Sequence, residues 1–168
     1  HYTRVLVPYL ASLIPVSEPV LAFKILNTIF LNAFVLLLYK IWKALGINIY
    51  LISIAYFWLF FHQYGPVRFY NFWPTSIDVP TYFFNTCFIY ILLKKQYSWL
   101  LLLAPTAVLQ HDGFLVFPLL LLIYKAGSYY FADNNTKKIR QDIFFIVGSI
   151  LLIFIAKMIP GAITPQGL

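Results

Sequence analysis

From Pro19 to Tyr39 the chain carries one charged residue, Lys24, and this apolar run constrains the fold more than any other feature. A stretch near the roughly 20 residues that cross a bilayer must either lie in lipid or be covered by a large core. Further apolar runs over 47–61, 78–93, 98–124 and 142–159 leave no polar material to cover such a core. Charged residues make up 10% of the chain, against roughly 25% in ordinary soluble domains. With 62% hydrophobic residues and a mean hydropathy of +0.82, lipid is the solvent for most side chains. The sequence therefore predicts an all-α, polytopic transmembrane helix bundle, one transmembrane domain over 1–168, with about four to six hydrophobic helices including a broken pair.

The expected spans are 19–39, 47–61, 78–93, 98–110 with 113–124, and 142–159. The second is short for a bilayer, and the third opens at Asp78 and Pro80 and closes at Lys94 and Lys95. Between them, His62 to Ser76 holds Gly65, Pro66 and Pro74 among aromatic residues, the composition of an interfacial loop. The run from Ser98 to Tyr124 is interrupted by Gln110, His111, Asp112 and Gly113, with Pro105 and Pro118 on either side. Two short helices meeting at that break, as a re-entrant hairpin or as two thin crossings, return the chain to its starting side. Lys125 to Gln141 reads as a polar connection. The opening at His1, with no cleavable signal segment before the first apolar run, reads as part of a longer chain.

The formal charge of +7 is spread in short clusters between apolar runs, so it is a topology signal and no nucleic-acid partner is expected. Lysine and arginine are enriched on the cytoplasmic side, which predicts that 40–46, 94–97 and 125–141 face the cytoplasm. Arg4, Arg68 and the polar break then lie on or toward the outer side. The single cysteine, Cys87, excludes an internal disulfide framework and a cysteine metal site. His1, His62 and His111 cannot be grouped from sequence, so no metal or other cofactor is expected.

Polar groups at membrane depth are costly, and each is a candidate for function or for packing. Lys24, Asn27, Thr28 and Asn32 recur on one helical face, which should turn toward other helices or a wet cavity. Asp78 repeats the pattern with Thr81 and Asn85 and could cap its helix. His111 and Asp112, side by side at the break, could pair, exchange a proton or hold a polar head group; alternatively Asp112 caps, Gly113 turns the chain and His111 bonds a free carbonyl. Arg4 and Arg68 suit a lipid phosphate or plain interfacial anchoring.

Three stretches, HYTRVLVPYLASLIP, SIDVPTYFFNTCFIYILLKK and APTAVLQHDGFLVFPLLLLIY, resemble segments of bacterial multi-spanning glycosyltransferases of the GT-C fold, which move sugars from polyprenyl-phosphate carriers. The likeness is one of pattern over about a third of the chain. It implies an inner-membrane protein acting on the extracytoplasmic side, with membrane lipid and a polyprenyl-phosphate-linked sugar as partners. It also implies substrate or lipid-phosphate binding at Arg4, Arg68, Asp78, His111 and Asp112. In that family the catalytic carboxylate lies in a loop upstream of the segment that opens this chain, so no catalytic residue is expected among those present. A transporter or flippase and a non-catalytic membrane subunit are the competing readings.

Overall fold

The structure is a computed structural model that describes residues 5–62, 78–131 and 136–163, with the side chains of 131, 136 and 159–163 left aside. The described residues are all-α. They form helices α1 (Leu6–Ser12), α2 (Pro19–Ala44), α3 (Ile49–Phe61), α4 (Asp78–Lys94), α5 (Leu100–Gln110), α6 (Val116–Phe131) and α7 (Thr136–Ile163). Short 3-10 turns at Tyr97–Trp99 and Asp112–Leu115 lead into α5 and α6. Among the described residues three stretches are long and apolar enough to cross a membrane: Pro19–Ala44, Asp112–Tyr130 and Lys137–Met158. Large apolar side chains such as Leu36, Ile54, Phe57, Phe144 and Ile155 stand exposed along the helices, which is the surface of a membrane protein. The chain divides into two units, Leu6–Leu93, and Lys94–Leu168 together with His1–Val5.

In the first unit, Pro19 starts α2 at a position where a missing N–H costs nothing. The helix runs five residues past Tyr39, carrying Lys40 and Lys43 into its last turns, where the negative end of the helix dipole favours cations. It stops in a Schellman turn: Gly46 at φ +74° donates to the Lys43 carbonyl, and Ile47 donates to that of Trp42. Asn48 then caps α3 by accepting from the Tyr50 N–H at 3.0 Å, so this helix begins two residues later than the apolar run. The Tyr56 hydroxyl reaches back to the Val35 carbonyl at 2.5 Å, and Trp42 meets Tyr56 edge-on. Phe30 and Phe34 of α2 contact Phe83, Phe84 and Tyr82 of α4. The amphipathic α1 lays Val7 and Ala11 on Ala22 and Leu26.

The polar face expected on α2 does not turn inward as a set. Asn27 is fully buried, whereas Lys24, Thr28 and Asn32 are exposed. The reason is local: the Thr28 hydroxyl donates to the Lys24 carbonyl at 2.7 Å and the Asn32 amide to the Thr28 carbonyl at 2.8 Å. Such bonds to the preceding turn satisfy a side chain without a second helix.

In the second unit, α6 and α7 run antiparallel, with α5 packed on α7 as well. The buried residues of α7, namely Asp142, Ile146, Ser149, Ile153 and Ala156, alternate in steps of four and three, the seam of left-handed helix packing. Gly148 lets α5 approach closely: a Cβ there would lie 2.9 Å from Leu101 Cδ2. Pro105 is accommodated inside α5, where the neighbouring Thr106 hydroxyl bonds the carbonyls of Leu102 and Leu103 at 2.9 Å and reinforces the weakened turn.

The expected polar connection at 125–141 is largely helical. α6 continues to Phe131 and α7 starts at Thr136 instead of Asp142, then continues across Pro160 to Ile163. Two cross-helix contacts extend the packing past the apolar residues. Lys125 Nζ and Asp142 Oδ2 pair at 2.7 Å, and Arg140 donates to the Tyr129 hydroxyl at 2.8 Å from Nη2. At 28 residues, α7 measures about 42 Å, longer than the roughly 30 Å hydrocarbon layer.

Candidate functional site

The interruption at Gln110 to Gly113 is a reversal of the chain. Lys125 Nζ lies 4.4 Å from the Tyr97 ring centroid, so the start of α5 and the far part of α6 meet at one end of the unit, its root. At the opposite end, the tip, Asp112 Oδ1 holds Lys157 Nζ at 2.8 Å. Gln110 ends α5 fully buried, and His111 leaves the helix with extended backbone, φ −157° and ψ 126°. The Val5 N–H donates to the Leu109 carbonyl at 3.0 Å, covering one of the carbonyls that a helix end leaves open.

His111 is the cap of the following turn. Its Nδ1 accepts from the Gly113 N–H at 3.0 Å, so Nε2 is the nitrogen left to donate. The ring sits so close that a Cβ at Gly113 would be 3.0 Å from Nδ1, a contact that glycine avoids. The roles expected of the pair are thus exchanged. His111 caps, and Asp112 neither caps nor pairs with the imidazole but binds a lysine from α7. The Asp112 and Lys157 side chains are 42% and 40% exposed.

Asp78 belongs to the other unit, in the first turn of α4, where a carboxylate interacts well with the positive helix end. Arg4 and Arg68, and with the latter the expected interfacial loop, lie outside the described residues. Of the candidate residues, the structure keeps His111 and Asp112 together at the turn and adds Lys157 of α7, a residue not among the candidates. The signal for it was present: Asp112 and Lys157 stand at nearly equal distances from the 132–135 connection, which makes them neighbours once α6 and α7 pair antiparallel.

The chain matches no family model, no curated protein and no solved structure. Its function must therefore be argued from the cluster itself. Among the described residues no three His, Cys, Asp or Glu side chains gather as metal ligands. The tip offers a donor at His111 Nε2 and an ammonium held by a carboxylate, and the buried Phe114 ring stands edge-on to the imidazole at 6.3 Å. A cation and a neutral donor of this kind are groups that can bind an anionic oxygen.

Proposed function

We propose that this chain is the membrane-embedded part of a protein that handles a lipid-linked, anionic substrate at the tip of the α5–α6 hairpin, as a glycosyltransferase acting on polyprenyl-phosphate-linked sugars does. The tip faces the extracytoplasmic side of a bacterial inner membrane. The observation that carries the proposal is the half-exposed Asp112–Lys157 pair beside His111 at the turn of a helical hairpin. Charge grows on the carrier phosphate as a sugar departs, and Lys157 with His111 Nε2 would stabilise it there while Asp112 holds the ammonium in position. The resemblance of three sequence stretches to the GT-C enzymes supports the same substrate class.

A second reading, a transporter or flippase, draws on the same unwound backbone at His111, because discontinuous helices bind substrate without reacting with it. Binding of undecaprenyl phosphate and of undecaprenol to the detergent-solubilised protein tests the shared core of both readings. The phosphate is expected to bind more tightly, and Lys157→Gln to remove most of the difference. Equal binding of phosphate and alcohol would overturn the proposal. Scrambling of a labelled polyprenyl phosphate across vesicles, without sugar transfer, would favour the transporter.

A further inference from the structure

The root of the hairpin, at the other end of the unit, carries an open cleft of about 300 Å³ lined by Lys95, Tyr97, Tyr124, Lys125, Lys138, Ile139 and Asp142. Among the described residues the one lining carboxylate, Asp142, is engaged by Lys125 at 2.7 Å. Lys95 and Lys138 are exposed and add positive charge that no other lining carboxylate among the described residues offsets. Tyr124, also exposed, and Tyr97, buried beneath the Lys125 ammonium, supply amphipathic rings of the kind that settle at head-group depth.

The backbone gives a second, independent sign. Lys95 sits at φ +55°, among the described residues the one non-glycine in the left-handed region. At the corresponding exit from α2 the chain uses Gly46, which enters that region without steric cost. A lysine there costs about 1–2 kcal/mol of backbone strain, and the side chain it retains lines the cleft. Strain kept at the rim of a basic pocket is the signature of a residue held for its side chain.

From these observations we infer that the root cleft is a binding site for a phosphate group, with Lys95 and Lys138 as its principal cations and Lys125, fixed by Asp142, at its floor. The site is distinct from the tip and goes beyond the function proposed for it. Its position, at the end of two helices long enough to cross a membrane, suits the head group of an anionic phospholipid. A free phosphate or phosphorylated solute offers the same chemistry, and the two sources separate by experiment.

The test is thermal unfolding of the detergent-solubilised protein in the presence of phosphatidylglycerol, phosphatidylcholine, glycerol 3-phosphate or inorganic phosphate. Phosphatidylglycerol is expected to stabilise the protein where phosphatidylcholine does not. If the soluble phosphates leave it unmoved, the ligand is a lipid; if they stabilise it equally, the ligand is a free phosphate. Lys95→Gly relieves the backbone while deleting the cation, so it should fold at least as well as the parent and bind the preferred phosphate about fivefold more weakly, the weight of one lysine near an anionic surface. Lys138→Gln, on an exposed helical position, should weaken binding to a similar degree and guards against any folding defect in the first variant. Stabilisation by phosphatidylcholine equal to that by phosphatidylglycerol, with no effect of either soluble phosphate, would overturn the inference. So would unchanged phosphate binding in both variants. Neither variant touches Lys157, so undecaprenyl phosphate binding at the tip should survive in both, which separates this site from the one proposed above.

Discussion

Replacing Lys125 by methionine is the most informative single change in the second unit. The Lys125 and Asp142 side chains are 13% and 11% exposed, and their charged atoms are 2.7 Å apart between α6 and α7. Methionine retains much of the aliphatic stem and removes the ammonium, which leaves the Asp142 carboxylate buried with its ion-pair partner gone. Breaking a buried pair from one side costs about 3–5 kcal/mol, because the surviving charge has lost its solvent and its counter-ion together. The cation–π contact with Tyr97, at 4.4 Å, adds about 0.5–2 kcal/mol that is lost in the same step. The folded-to-unfolded ratio should therefore drop by roughly three to five powers of ten. Adding Asp142→Leu to the same chain should restore most of the stability, since two apolar side chains replace a buried pair at little net cost. Circular dichroism at 222 nm during titration of the micelle-bound protein with dodecyl sulfate measures all three chains. A single variant within about 1 kcal/mol of the parent, or a double variant no better than the single, would refute the argument that burial makes this pair costly to break.

The Asp112–Lys157 pair should behave differently despite a similar 2.8 Å separation, because both side chains are about two-fifths exposed. Asp112→Asn should shift stability by less than about 1 kcal/mol in the same titration, and a loss as large as that at Asp142 would show the tip to be dry. Asn48→Ala removes the cap that accepts from Tyr50 and should cost about 1 kcal/mol, read as faster amide exchange at the start of α3. Gly148→Leu should cost about 1–3 kcal/mol and loosen α5 from α7, since even a Cβ there meets Leu101 at 2.9 Å. Gly46→Ala meets nothing within 4 Å, so its expected cost of about 1–2 kcal/mol is conformational alone, and thermal unfolding should show no rescue by trimming neighbours.

The fold class and the apolar helices were legible because they depend on local properties. A run such as 19–39 is poorly solvated by water in any arrangement, and Gln110 to Gly113 cannot continue an apolar helix without carrying polar side chains into lipid. Helix ends were less legible. Hydropathy marks where lipid stops, whereas pairing with α6 carries α7 past its apolar run, back across Arg140, Lys138 and Lys137 to Thr136. The polar stripe on α2 misled for a related reason: spacing places Lys24, Thr28 and Asn32 on one face, but bonds to the preceding turn remove the need for that face to be buried.

Sequence alone determined that this chain is helical, that lipid is its main solvent and that it breaks at His111 and Asp112, since each follows from side chains that cannot be satisfied otherwise. Only the tertiary structure decided what those residues do. Whether Asp112 caps a helix, pairs with His111 or reaches Lys157 turns on the antiparallel register of α6 and α7, and that register is set by buried positions from Asp142 to Ala156. The same register brings Lys95, Lys125 and Lys138 to one cleft from three separate segments of the chain. Charge partners are chosen by packing across tens of residues, and local sequence has no means of recording that choice.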